Sequence, residues 1–240
     1  MFSFRKKKKE SPAGPWCAAV VPAAGSSSRM GRGDKVLLPL GGQPVLARTL
    51  RALEDSPAIM EIVVVTKEDL LVAVSDLCRQ YGFQKVTTVL VGGKTRTESV
   101  MRGLSAVSSR ATLVAVHDGA RPLVTPEVIA AAVSRAAQCG AACPAIPVKD
   151  TVKQVSGGSV AATLDRDSLR AVQTPQVFDR DLLQAALQKA AEENAVLTDD
   201  CAAVERLGAA VALTPGDERN LKITTPLDLA VAEAILSQEV

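Results

Sequence analysis

Five short apolar runs, Cys17–Val21, Glu61–Thr66, Lys85–Val91, Thr112–Val116 and Ala141–Ile146, recur along this chain, and a segment of helical character separates each from the next. Between the first two, Val45, Leu46, Thr49, Leu50 and Leu53 repeat at helical spacing. Lys67–Tyr81 is expected to be helical, and in Glu98–Val107 the residues Val100, Met101, Leu104 and Val107 share one face. Pro126 sits where a first-turn proline is tolerated and opens a helix through Ala137. Short apolar strands bridged by helices predict an α/β fold, a doubly wound and mostly parallel sheet that binds ligands beyond the carboxyl ends of its strands. The loops Pro22–Lys35, Gly92–Thr97 and His117–Thr125 are therefore expected to gather along one edge.

The first of these loops has its own chemistry. From Val20 it reads V-V-P-A-A-G-S-S-S-R-M-G-R-G-D-K, a strand end followed by small residues and then cations. Ala23, Ala24 and Gly25 expose backbone N–H groups with little side-chain bulk, so a polyphosphate can lie against them. Arg29 and Lys35 supply charge for a triphosphate or its transition state; Arg32 is read as solvated. Neither G-x-x-x-x-G-K-[ST] nor G-x-G-x-x-G occurs, which argues against a Walker A loop and a dinucleotide fingerprint.

The 240 residues are 47% hydrophobic, ample for one buried core, and residues 16–240 are expected to form a single domain behind a disordered basic tail at 1–15 containing Lys6–Lys9. A net charge of +2 and 2% aromatic residues argue against a nucleic-acid partner. No apolar stretch has the ~20 residues of a membrane span and no secretory signal is evident, so a cytoplasmic location is expected. The five cysteines, Cys17, Cys78, Cys139, Cys143 and Cys201, are odd in number without a C-x-x-C pair, which favours thiols over disulfides or structural zinc. His117 is the single histidine and no G-x-S-x-G elbow accompanies it, which leaves little basis for a serine-hydrolase triad.

Between Pro147 and Thr174 the helical alternation stops. V-K-D-T-V-K and S-V-A-A-T-L flank Gly157-Gly158 and carry little core material, as expected of a protruding β-arm. So small an arm cannot bury its own apolar face, and a second subunit is its expected partner. Beyond it, helices at about Arg180–Glu193 and Thr198–Leu207, a strand near Ala210–Leu213 and a last helix from about Thr225 complete the chain.

Eight motifs in order resemble one family. They are P-A-A-G-S-S-S-R-M at 22–30, G-G-K-T-R-T-E-S-V at 92–100, H-D-G-A-R-P at 117–122, P-V-K-D-T-V-K at 147–153, T-L-D-R at 163–166, Q-T-P-Q at 173–176, T-D-D at 198–200 and N-L-K-I-T at 220–224. The family is that of the 2-C-methyl-D-erythritol 4-phosphate cytidylyltransferases, and the resemblance runs from about Cys17 to the last helix. It implies transfer of CMP from CTP to methylerythritol phosphate with release of pyrophosphate, in the non-mevalonate route to isoprenoids. It also implies magnesium and a homodimer formed through the arm.

Carried over by position, the resemblance puts Arg29, Lys35 and Lys222 at the phosphates, and Arg166, Arg121, Thr151 and Thr174 at methylerythritol phosphate. In the family the arm reaches the neighbouring subunit's site, which is where Thr151 and Arg166 would act. Ala23, Ala24 and Gly25 fall to CTP; Gly93 and Ser99 match positions that recognise the cytosine, with Gly119 beside the ribose or base. Asp118 is the carboxylate placed to assist magnesium or bind the nucleotide. Asp199 and Asp200 read as helix-start residues. Lys94 departs from the acidic or other polar residue that often follows the glycine pair, and V-L-L-P-L after Lys35 lacks the glutamine of many members. The nearest alternative is a ribitol-5-phosphate cytidylyltransferase, from which the arm motifs discriminate. UTP- or GTP-using nucleotidyltransferases and a non-catalytic nucleotide-binding protein are the further alternatives.

Overall fold

The computed structural model describes residues 15–25 and 34–238, so Arg29, Arg32 and Lys6–Lys9 lie outside the described residues. In chain order the elements are β1 (Cys17–Pro22), the short hairpin β2 (Pro39–Leu40) and β3 (Gln43–Pro44), α1 (Val45–Asp55), β4 (Glu61–Thr66), α2 (Leu71–Gln80), β5 (Val86–Val91), α3 (Arg96–Ala106), β6 (Leu113–Val116), α4 (Pro126–Cys139) and β7 (Ala141–Pro147). The second half adds β8 (Lys153–Ser156), β9 (Ser159–Thr163), β10 (Arg170–Val172), β11 (Gln176–Asp179), α5 (Arg180–Glu192), α6 (Asp200–Arg206), β12 (Ala212–Pro215) and α7 (Pro226–Ser237).

The parallel core of the sheet is β6-β1-β4-β5, as the alternation predicts. In β1, Cys17, Ala19 and Val21 face one apolar layer and Ala18 and Val20 the other, so every one of these residues is buried whichever way the pleat turns it. α1, α2 and α4 cover the first face, while α3, α5 and α6 cover the second. α4 illustrates the local logic. Thr125 caps it by accepting the Val128 N–H, Pro126 occupies its first turn, and Gly140 stops it at φ 89°. Val128, Ile129, Ala132, Val133 and Ala136 recur three and four apart and bury one stripe against the sheet.

Two departures from the expected pattern appear beyond β7. The expected arm through Thr174 contains β10, whose Arg170–Val172 pair antiparallel with β7 in the main sheet, so the excursion ends before Arg170. Next, β11 inserts antiparallel between β6 and β7, a strand that the sequence reading does not anticipate. β12 runs parallel along β7. Among the described residues, β8 and β9 form a separate two-stranded sheet, turning at Gly157 (φ 58°) and Gly158 (φ 79°), the backbone of a tight hairpin. The expected helix from Lys67 begins as a 3-10 turn at Glu68–Leu70 before becoming α-helical at Leu71. No helix among the described residues is long and apolar enough to cross a membrane.

Candidate active site

The carboxyl ends of β1, β4, β5 and β6 open onto one cavity of about 430 Å³. Pro22, Ala23, Ala24, Gly25 and Lys35 line it from the end of β1 and its loop, and Gly93, Lys94, Thr95, Arg96 and Ser99 from the loop after β5 and the start of α3. Asp118, Gly119, Ala120 and Lys222 also line it, together with Lys67. Five of these side chains are cationic and one, Asp118, is a carboxylate. A space of this composition is matched to a polyanion.

The walls are held close by small residues and local hydrogen bonds. Ala23 N–H donates to Val65 O at 2.7 Å and Gly119 N–H to Pro22 O at 3.1 Å, which fastens the loops after β1 and β6 to each other and to β4. A Cβ on Gly119 would stand 3.2 Å from both Ala23 Cβ and Pro22 O. At the start of α3, Thr95 caps the helix by accepting Glu98 N–H, and Glu98 accepts the Lys94 N–H at 2.8 Å. Ser99 Oγ accepts the Gly93 N–H at 3.1 Å and donates to Thr95 O at 2.9 Å. Gly93 has no alternative here, because a Cβ would fall 2.3 Å from Glu98 Cβ.

Asp118 is the centre of an ionic cluster. Its Oδ2 is 2.9 Å from Lys222 Nζ and 3.4 Å from Arg121 Nε, and its Oδ1 is 3.8 Å from Arg96. Burial alone would push its pKa up; Lys222, Arg96 and Arg121 outweigh that and hold it well below the usual carboxylate range. Arg96 in turn meets Asp200 Oδ2 at 2.6 Å. Asp200 is 1% exposed, and burial raises its pKa against the opposing pull of Arg96. Lys67, just after β4, pairs with Asp34 at 2.8 Å.

Behind Asp118 lies a second, neutral layer. Thr174 Oγ1 accepts the Asp118 N–H at 3.1 Å and donates to His117 Nδ1 at 3.0 Å, while His117 Nε2 faces the carbonyl of Arg121 at 3.2 Å. A carbonyl only accepts, which assigns the ring proton to Nε2. Burial pushes the His117 pKa down to about 4, so the ring is neutral. Asn220 Nδ2 donates to Thr174 O at 2.9 Å and Arg121 donates to Asn220 O at 2.6 Å, tying in the loop that carries Lys222.

Of the residues singled out in the sequence, Ala23, Ala24, Gly25, Lys35, Gly93, Ser99, Asp118, Gly119 and Lys222 are brought together on this one cavity. Thr174 and Arg121 stand behind its wall, with their polar atoms engaged by His117, Asp118 and Asn220. Thr151 and Arg166 do not line the cavity of their own chain: Thr151 is exposed, and Arg166 donates to Lys149 O at 3.0 Å. Asp199 is the cap of α6, as its helix-start reading expects, accepting the Ala202 N–H at 3.0 Å. Asp200 does more than start a helix, because its carboxylate turns to Arg96. Arg96 and Lys67 are cavity residues that the sequence reading does not single out. Arg96 does carry a signal, since a cation in the first turn of a helix opposes the macrodipole and implies a dedicated counter-charge.

Among the described residues no three His, Cys, Asp or Glu side chains converge as metal ligands. Asp118, ionised and facing the cavity, fits a divalent cation that a polyphosphate and water would otherwise coordinate.

Comparison with known proteins bears on what the cavity serves. The sequence model for 2-C-methyl-D-erythritol 4-phosphate cytidylyltransferase matches residues 17–238. The protein of that name from Halalkalibacterium halodurans is 44% identical over 223 residues, covering 92% of this chain and 97% of its own length. The one from Symbiobacterium thermophilum is 45% identical over 224 residues, covering 92% and 93%. Among solved structures, the 4-diphosphocytidyl-2C-methyl-D-erythritol synthase of Anaerococcus prevotii superposes with a TM-score of 0.83 at 30% identity, over 94% of this chain and 100% of that one. The 2-C-methyl-D-erythritol 4-phosphate cytidylyltransferase of Thermus thermophilus gives 0.72 at 34%, over 91% and 98%. With fold, motifs and sequence in agreement along nearly its whole length, the chain belongs to the 2-C-methyl-D-erythritol 4-phosphate cytidylyltransferase family.

Proposed function

We propose that this protein transfers the cytidylyl group of CTP to 2-C-methyl-D-erythritol 4-phosphate, giving 4-diphosphocytidyl-2-C-methyl-D-erythritol and pyrophosphate, in the cytoplasm. The observation that carries the reading is the cavity itself, in which Lys35, Lys67, Lys94, Arg96 and Lys222 accompany Asp118, the one carboxylate among the described lining residues, at the carboxyl ends of the strands.

A phosphate oxygen of the acceptor attacks the α-phosphorus of CTP, the bond from that phosphorus to the β-phosphate bridging oxygen breaks, and both electrons leave with pyrophosphate. Attacker, centre and leaving group are all anionic, so the work falls to cations and to alignment rather than to a covalent nucleophile. Lys35 and Arg29 act on the triphosphate and the departing pyrophosphate. Lys222 stands between the α-phosphate and the attacking phosphate. Ala23, Ala24 and Gly25 offer backbone donors, and Gly93, Ser99 and Gly119 fit the cytosine and ribose by close backbone approach. Asp118 would hold magnesium, which when bound offsets charge on the triphosphate.

The acceptor is held by Arg166 and Thr151 of the arm from a second copy of the chain, with Arg121 and Thr174 shaping the floor. The arm supports a homodimer on physical grounds: Val155 and Val160 are each 62% exposed on a two-stranded hairpin too small to bury them alone. Pyrophosphate release measured with CTP, magnesium and each acceptor in turn tests the reading. The expected result is faster release with methylerythritol phosphate than with ribitol 5-phosphate, and with CTP above UTP, GTP or ATP. A preference for ribitol phosphate, or no release with any pair, sinks it.

A further inference from the structure

Among the described residues three cations surround Asp118, and they do not share it evenly. Lys222 and Arg121 both approach Oδ2, while among the described residues Arg96 is the cation facing Oδ1. They also differ in freedom. Lys222 is a flexible ammonium whose side chain is 39% exposed, and a substrate carrying several phosphate charges competes with Asp118 for it. Arg96 is anchored at its other end by Asp200, which lies at 2.6 Å and has no route to solvent.

Asp200 is itself fixed by its surroundings. Gln176, buried in β11, accepts the backbone N–H groups of Asp200 and Cys201 at 3.0 and 3.2 Å and donates to Asp199 at 2.8 Å. Hydrogen bonds therefore run from the sheet to the start of α6, and a close ion pair joins Asp200 to the guanidinium, which stands 3.8 Å from the Asp118 carboxylate as its counter-charge. An arginine suits this position because its planar fork can serve two carboxylates at once, whereas a lysine offers a single point charge.

We propose that Arg96 and Asp200 form a positioning pair for Asp118: Asp200 holds Arg96 as a standing counter-charge on Oδ1, so the carboxylate keeps its orientation when Lys222 turns to the substrate phosphates. Without that pair, Lys222 would leave Asp118 with Arg121, on Oδ2, as its counter-charge among the described residues, next to an arriving triphosphate of like charge. With it, Asp118 remains aimed at the cavity and ready to receive the divalent cation that accompanies the nucleotide. The inference rests on the functional reading above and assigns work to two residues outside it.

The test is CTP binding by calorimetry, in EDTA and in magnesium, for the wild type, Asp200→Asn and Arg96→Lys, with kcat and KM measured alongside. Asp200→Asn is isosteric and leaves the backbone bond to Gln176 in place; Arg96→Lys keeps a cation beside the buried Asp200 while removing the fork, and so guards against a folding defect in the first variant. Metal-free affinity should stay within about threefold of wild type, while the gain in affinity on adding magnesium drops by about tenfold or more, the usual scale for losing an outer-shell partner. The double variant should be no worse than the weaker single one, since the two residues act as a unit. Equal weakening with and without metal would reduce the pair to a structural role and overturn the proposal. So would an undiminished magnesium gain in both variants, or a wild type that shows no such gain. Failure of the wild type to bind CTP under either condition would instead overturn the functional reading, and the inference with it.

Discussion

Lys222 Nζ rests 2.9 Å from Asp118 Oδ2, joining the loop before α7 to the loop after β6 at the floor of the cavity. The pair stores a cation in place. Asp118 is 7% exposed overall, so its charge is paired whenever the cavity is empty of substrate, and Lys222 is presented to whatever anion enters.

Replacing Lys222 by alanine is accordingly expected to lower kcat by on the order of 10², the scale for losing one preorganised donor at a developing charge. Folding should survive, because Arg121 and Arg96 still balance Asp118. Steady-state kinetics with both substrates checks this; a change confined to KM would mean that Lys222 only binds.

A second expectation concerns the wall rather than the charges. Gly103 lies where α3 crosses the sheet, and a Cβ there would come within 2.5 Å of Val20 Cγ1 and 2.9 Å of Val65 Cγ2. Both valines are fully buried in close-packed strands. Gly103→Ala should therefore destabilise by about 1–3 kcal/mol through overpacking, less the roughly 1 kcal/mol that alanine gains as a helix former. Because α3 presents Arg96 and Ser99 to the cavity, its displacement should also raise the KM for CTP. A urea midpoint at or above that of the wild type would show that the helix can shift without cost.

His117 gives the fold a pH dependence whose sign is determined by burial. Its folded pKa of about 4 lies below the ~6.5 of an unfolded histidine, so between those values the unfolded chain binds the extra proton. The stability associated with the neutral ring is fully present above pH 6.5 and is lost as pH falls towards 4. For those two values the loss at pH 5 relative to pH 8 is on the order of 2 kcal/mol. Thermal unfolding of the wild type and of His117→Asn across this range provides the check. The variant should be less stable at pH 8 but show a shallower decline on acidification, and parallel curves would remove His117 as the cause.

Short apolar runs are enough to read β1, β4, β5, β6 and β7, and helical periodicity the helices between them, because the strands lie between two apolar layers and the helices bury one stripe each. β11 escapes that reading for a physical reason. Gln176-Val177-Phe178-Asp179 has only two apolar residues, and its strand state comes from the backbone groups of β6 and β7 on either side. The same holds in the site. The small-residue loop and the glycine pair are local features and legible, whereas Arg96 and Asp200 meet through the fold alone. Lys222 lies between: its loop looks like an ordinary surface turn in the sequence and is placed by motif resemblance, and its contact with Asp118 depends on Asn220 and Ile223 pinning that loop to Thr174 and Ala120.

The arm supplies the most direct test of how a complete site is assembled. Arg166 and Thr151 stay away from the cavity that holds Lys35 in the same chain, and on the proposed reading they would complete the acceptor side of the site on a second copy. If two copies exchange arms, Lys35→Ala damages the site formed on its own chain, and Arg166→Ala damages the site on its partner. Each homodimer of single variants then has two defective sites. In a mixed dimer, the Lys35→Ala chain receives the Arg166→Ala arm, so both lesions fall on one site and the other is wild type in every residue. Co-refolded and affinity-separated heterodimers should therefore recover about half the wild-type turnover per dimer, well above either parent, as expected when each site draws on two chains. Recovery no better than the average of the two parents, in heterodimers verified by mass, would place Arg166 and Lys35 in the same chain's site and refute the exchange.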